Sequence, residues 1–274
     1  MDQSQRASYH TGSLKEVTSV PMSAMPSKQK KSVFDWISNH WFETFLILYG
    51  GWVWLPFLAP VLMKAGLSSA GNAIYFLYSF FCHQLPERSF FLFGEKTMYS
   101  LGEIQAAWQN TANPMILRKF IGNEIMGWKI AWSDRMISFY TAIWIFALAW
   151  WPVRHKVKPF SWWAFALLLI PMIIDGSTHA VSDLAGIGLG FRDTNQWLAA
   201  LTNYSLPASF YAGDALGSFN SWARFLSGLL AGSGIIWLGF PYVFQSQALN
   251  QQLDQTNYGV VLEQIKNKNP GAAG

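Results

Sequence analysis

The sequence predicts an all-α integral membrane protein of about five transmembrane helices, the second of them broken or re-entrant, with long polar loops. Three observations carry this. Only 12% of the 274 residues are charged while 51% are apolar, about half the ~25% charge of a typical soluble domain. The charge-free stretches are long: no Asp, Glu, Lys or Arg occurs in residues 44–63, 136–151, 160–174 or 225–244. About 20 apolar residues, at about 1.5 Å each, cross a hydrocarbon core of about 30 Å. Finally, 17% of residues are aromatic, 15 of them tryptophan, and tryptophan prefers the headgroup level. A single cysteine excludes a disulfide scaffold and a Cys-rich zinc module. A soluble helical core would need helices apolar on every face.

In chain order, residues 1–42 form a polar tail rich in Ser, Gln and Lys, expected to be largely disordered. It lacks the apolar core and cleavage site of a signal peptide. The transmembrane domain is expected over 43–245. Its first span is 44–63. The second, 73–93, is interrupted by Cys82-His83-Gln84-Leu85-Pro86-Glu87-Arg88-Ser89. The extramembrane connection 94–135 repeats Leu117, Ile121 and Ile125 every four residues with Arg118, Lys119 and Glu124 between, the pattern of an interfacial amphipathic helix. The third and fourth spans, 136–151 and 160–174, flank a basic loop with Arg154, Lys156 and Lys158. A second long connection, 175–221, precedes the fifth span at 225–244. The polar tail 246–274 is expected to hold one short helix near 260–265. No internal repeat suggests an inverted-repeat transporter.

A multi-pass plasma-membrane location follows. The positive-inside rule places Lys28, Lys30 and Lys31, and so the N-terminus, in the cytoplasm. The 154–158 loop obeys the same rule only if the Cys82 segment is re-entrant.

The polar groups near the spans collect at one end. Glu87, Asp134 and Asp175 balance Arg88, Arg135 and Arg224 three to three, with Cys82, His83, Gln84, Arg192 and Asn220 at the same level. Asp175 and His179 are four apart and share a helix face only if the helix continues past Gly176. Ionisable groups near lipid are expensive and turn inward to pair. Two readings follow. One is a polar pocket that binds a small ligand or moves protons. The other is a structural lock within a non-catalytic subunit or assembly factor of a larger membrane complex.

The string Phe81 to Phe91 resembles a family of bacterial and archaeal membrane proteins called domain of unknown function 2085. Further matching strings follow in order: Asp134-Arg135 with Tyr140, Pro171 with Asp175-Gly176, Gly190 to Asn195, Asn220 with Arg224, Ser227-Gly228 and Pro241-Tyr242. The resemblance covers roughly residues 70–245 and implies a multi-span fold with these motifs at one face, but no established activity. It also implies a second cysteine where this chain has Ser133, and a glutamine where it has His179.

No catalytic group or cofactor is specified. Cys82 or His83 with His179 and Asp175 would suit zinc or iron, but one cysteine argues for an apolar filler. Cys82 as a nucleophile needs a cation such as Arg88 to lower its pKa, and no base is evident. A haem or quinone remains open. An aromatic belt accounts for Trp144, Trp150, Trp151, Trp162 and Trp163 without one. Gly228 and Gly232 have the spacing for close helix packing. The expected partners are the lipid bilayer and other membrane subunits. The net charge of +4 reflects the basic flanks, and nothing resembles a nucleic-acid surface.

Overall fold

The computed structural model describes residues 33–268; the disorder expected before residue 33 falls outside the described residues. Two units are distinguished, Met1–Asn39 and His40–Gly274. The described part of the first is one short helix, α1 (Val33–Asn39).

The second unit begins with α2 (Trp41–Lys64), turned back by Gly66 into α3 (Ser68–Tyr78). A 3-10 turn at Pro86–Arg88 leads into β1 (Ser89–Leu92), then α4 (Leu101–Ala107) and α5 (Pro114–Leu117). Next come β2 (Gly122–Asn123), β3 (Gly127–Ser133), and α6 (Asp134–Trp150), which a 3-10 turn extends through Val153. α7 (Trp162–Asp183) is followed by the short helices α8 (Phe191–Thr194), α9 (Gln196–Leu201) and α10 (Ala208–Tyr211). The last helix, α11 (Phe219–Lys268), is 50 residues long. The short helix expected near 260–265 is therefore part of one continuous rod.

Among the described residues, four helices are long and apolar enough to cross a membrane: α2, Asp134–Val153, α7, and Phe219–Val261 within α11. The interrupted second segment does not join them. α3 has 11 residues, about 16 Å of rise against a core of about 30 Å. Beyond it Gln84 takes a left-handed backbone (φ 53°) and Pro86 follows, so the helix cannot resume. The expectation of a broken segment is realised as a short helix that packs against α2 and then leaves for a sheet.

That sheet is an addition to the helical fold expected. Its antiparallel order is β1-β3-β2, with Phe91 opposite Lys129 and Gly122 opposite Trp128. Every residue of β3 is buried, and α2 lies along it. The amphipathic helix expected through Leu117, Ile121 and Ile125 does not form. α5 stops at Leu117, and Ile125 is 70% exposed. Gly122 (φ 120°) and Gly127 (φ 73°) explain this. They adopt backbone that only glycine takes freely, and a Cβ on either would strike backbone across the sheet.

α11 packs on both α6 and α7. Gly228 and Gly232 allow it: a Cβ on Gly232 would lie 2.7 Å from Ala142 Cβ, and one on Gly228 would collide with the Ser138 hydroxyl. The small-residue spacing thus serves an intramolecular contact. α7 continues through Gly176, correcting the expectation of a break there. The hydroxyls of Ser177 and Thr178 bond back to the carbonyls of Ile173 and Ile174, each at 2.7 Å, and so stay within the helix. The start of α6, the end of α7 and the start of α11 thereby meet at one end of the bundle.

Candidate functional site

Four arginines and four aspartates form the polar end. The uninterrupted α7 presents Asp175, His179 and Asp183 at four-residue intervals, one face of a helix. α6 begins with Asp134-Arg135, and α11 contributes Arg224 one turn from its start. Arg88 comes from the 3-10 turn, Arg192 from α8, and Asp214 from the loop before α11.

The pairs run in an alternating chain. Arg88 grips Asp183 with both terminal nitrogens (2.6 and 2.8 Å) and donates through Nε to Asp214 at 2.7 Å. Arg224 donates to the other Asp214 oxygen at 2.6 Å and, through Nε, to Asp134 at 2.6 Å. A second group centres on Asp175, which accepts from Arg135 and Arg192, each at 2.8 Å. His179 joins the two groups. Its Nδ1 lies 3.1 Å from the Asp175 carbonyl and its Nε2 3.3 Å from Arg224 Nη1. Two asparagines brace the second group: Asn195 and Asn220 both donate to the Arg192 carbonyl (2.6 and 2.8 Å). Asn220 also accepts from Arg192 Nε at 3.1 Å.

This network is buried. Arg224 is 1% exposed, and Asp134, Asp175, Asp214, Arg88 and Arg192 are each at most 6% exposed. Removing ions from water is costly, and the cost is met only when each charge is paired and hydrogen-bonded. Asp214 illustrates the balance. Burial pushes its carboxyl up, but Arg224 and Arg88 outweigh this and hold it well below the ordinary carboxylate range. Bidentate geometry of the Arg88–Asp183 type adds direction to the attraction.

The sequence-derived candidates occupy three settings. Arg88, Asp134, Arg135, Asp175, His179, Arg192, Asn220 and Arg224 meet in the network. Cys82, His83 and Gln84 do not bond to it. Cys82 Sγ accepts from the backbone N–H groups of Gln84 (3.4 Å) and Ser133 (3.3 Å). His83 is exposed and accepts through Nδ1 from the Leu85 N–H. Gln84 donates to the Tyr75 carbonyl at 2.9 Å. The candidate metal group of Cys82 or His83 with His179 and Asp175 is not assembled, and among the described residues no three of His, Cys, Asp and Glu converge on a metal position. Glu87, placed in the three-to-three balance by sequence, is buried, but neither carboxylate oxygen has a hydrogen-bond partner.

Asp183 and Asp214 take the place that balance gave to Glu87. Asp183 was hidden by the apparent break at Gly176; the periodicity from Asp175 through His179 was its signal. Asp214 is the sole charge in a Gly- and Ala-rich stretch. Lys129 was also missed. It is fully buried in β3, and its Nζ donates to the carbonyls of Gln84 (2.6 Å) and Arg118 (2.7 Å). A lone lysine in an otherwise apolar run was its only sequence trace.

Two cavities border the network. One, of about 310 Å³, lies between α6 and α11 and includes Asp134, Ser138, Ser221 and Phe225. The other, of about 640 Å³, lies between α7 and the short helices and includes Thr178, Arg192 and Trp197.

Comparison with known proteins agrees with this architecture. A family model described as "Predicted membrane protein (DUF2085)" matches residues 123–238, from β2 to the middle of α11; the Cys82–Ser89 string lies outside it. An uncharacterized protein of Methanocaldococcus jannaschii is 24% identical over 197 residues, covering 69% of this chain and 83% of its own. No solved structure matches. The resemblance read from the polar motifs is matched by this similarity: the chain is a helical membrane protein whose residues 123–238, from the end of β2 into the first half of α11, are similar to the DUF2085 family.

Proposed function

We propose that the protein holds a small, uncharged amphipathic molecule in the cavity between α6 and α11, with Asp134 as its polar anchor. One observation carries this reading: a carboxylate lies at the wall of an otherwise mainly apolar cavity. Asp134 accepts from Arg224 through Oδ2 and from the Arg135 N–H through Oδ1. A carboxylate has about four acceptor positions, so capacity remains for a hydroxyl donor. Trp222 and Phe225, half-exposed at the rim, open the cavity toward lipid. At about 310 Å³, it is at the small end of the roughly 300–1,000 Å³ typical of ligand sites.

Purification of the full chain in lipid nanodiscs, followed by mass spectrometry of the extracted small molecules, tests the reading. A non-phospholipid species near one per protein is expected, falling at least tenfold in Thr141→Phe, which fills the cavity. Identical contents in wild type and variant would sink the proposal.

Pairing of all four arginines with the four aspartates supports a second reading, a structural lock in a subunit of a larger complex. That reading expects stoichiometric protein partners after gentle extraction and unchanged small-molecule content.

The protein is proposed to reside in the plasma membrane with its basic loop in the cytoplasm. Counted over four spans rather than five, the positive-inside rule is satisfied by Arg154, Lys156 and Lys158 and by Lys28, Lys30 and Lys31 together. The polar network is then on the outer side. His155→Cys should resist an impermeant maleimide in intact cells and react after lysis; labelling in intact cells reverses the orientation.

A further inference from the structure

Glu87 and Lys129 break the rule that governs their surroundings. Glu87 is 2% exposed, and neither of its oxygens bonds to another group. Lys129 is 0% exposed and spends its Nζ on two backbone carbonyls. No ion pair is formed by either among the described residues, although Arg88, Arg135, Arg192 and Arg224 are all paired.

An ionised carboxylate without hydrogen bonds in a buried site is far more costly than a neutral carboxylic acid. A metal ion is a poor solution here, because the cations Arg88 and Lys129 both act on this site. A proton is the ligand that removes the charge and needs no further coordinating group.

We propose that Glu87 is a proton-binding site, neutral when loaded and ionised when its proton leaves for water, with the neighbouring Arg88 guanidinium as the lasting buried cation beside the ionised form. Release breaks the carboxyl O–H bond; the electron pair stays on Glu87 and the proton passes to bulk solvent. The site is separate from the α6–α11 cavity, whose lining does not include Glu87, and stands or falls independently of it.

The groups around Glu87 allow both states. On its own turn, Arg88 is committed to Asp183 and Asp214. From β3 the charged neighbour is Lys129; from the loop before α11 it is Asp214. α4, which also packs on this turn, carries Glu103, which is turned to Lys96 at the surface. Burial raises the Glu87 carboxyl to about 7, opposed by Arg88, by the residue's own backbone N–H and by Lys129, with Asp214 adding to the rise. Burial likewise lowers Lys129 to about 7, against the pull of Glu87. Both groups therefore change state near neutrality, where a surface carboxylate or lysine would not.

Infrared difference spectra of the full chain in nanodiscs, stepped through neutral pH, test this. Glu87 is the sole buried glutamate among the described residues. Protein labelled with carbon-13 at glutamate carboxyls should show a protonated C=O band with a midpoint near pH 7, slow to shift in heavy water. The band should vanish in Glu87→Gln, and its midpoint should move upward in Lys129→Met, which removes an influence that favours the ionised form. The labelled wild type decides the matter even if a variant fails to fold. A labelled band that titrates only in the ordinary carboxylate range, or none at all, overturns the proposal, as does a band that survives in Glu87→Gln.

Discussion

The two ends of the helical bundle bury their side chains by opposite means. At one end, α6, α7 and α11 are joined through Arg224, Asp134, Asp175 and their partners. At the other, Phe42 stacks on Trp151 with centroids 4.0 Å apart, and Trp150 meets Phe240 edge-on at 5.5 Å. Trp150 is wholly buried there, while Trp162 and Trp163 are 68% and 86% exposed, available to an interface. Ring packing depends on volume and tolerates some change of partner. A buried ion network depends on every member, because a charge left without its counter-ion has no water to fall back on.

That contrast is sharpest in a pair of substitutions. Arg224→Met strands Asp134, leaves Asp214 with Arg88 alone, and should cost about 3–5 kcal/mol, read as lost accumulation and a collapse of the unfolding temperature in detergent. Trp150→Phe at the opposite end keeps a large ring and should cost less than about 1.5 kcal/mol. Equal losses at the two ends would remove the distinction between charge and volume.

The next effect depends on pH. Glu87 is raised from 4.5 to about 7 on folding, first by burial, so the native state holds this proton more tightly than the unfolded chain. Its contribution is fullest below pH 4.5 and is lost as pH rises through about 7. Lys129 is lowered from 10.5 to about 7, again by burial. Its contribution is full above pH 10.5 and is lost as pH falls toward 7. Unfolding temperature should therefore pass through a minimum near neutrality, on the order of 3 kcal/mol deep on the acid side and about 5 kcal/mol on the alkaline side at about 1.4 kcal/mol per pH unit. Glu87→Gln should flatten the acid limb and Lys129→Met the alkaline limb.

Smaller again is Gly232→Ala. The added Cβ would lie 2.7 Å from Ala142 Cβ and 2.8 Å from the Phe139 carbonyl, so α6 and α11 must part at a cost of about 1–3 kcal/mol. Gly51→Ala, with open space around its Cβ, is the control and should be neutral or stabilising. Least of all, Glu124→Gln removes an exposed pair with Lys64, 3.6 Å apart, and should leave the unfolding temperature unchanged. A large loss there would mean that surface charge carries weight in this fold comparable with the buried network.

How far these features were legible varies with their range. The apolar stretches around Phe45, Phe146, Leu168 and Ile235 announce helices because hydropathy accumulates along the chain itself. Arg224, Asp134 and Asp175 stood out as rare charges at the ends of such stretches. Asp183 did not, because Gly176 and the Ser177-Thr178 pair after it obscured the helix that aligns it with Asp175. The strand Gly127–Ser133 was also missed: it is buried on every residue and carries Lys129, so it has no alternation to read.

The sequence by itself determined that the chain is built for lipid, how its long helices divide it, and which few charges it keeps beside them. Those properties are sums over neighbouring residues. Only the tertiary structure decided the pairing: Arg88 with Asp183 and Asp214, Arg224 with Asp134 and Asp214, and Asp175 between Arg135 and Arg192. It also left Glu87 and Lys129 buried without ion-pair partners. Coulomb attraction and desolvation act over a few ångströms in space, and residues as far apart in sequence as Arg88 and Asp214 acquire that distance only when the chain folds.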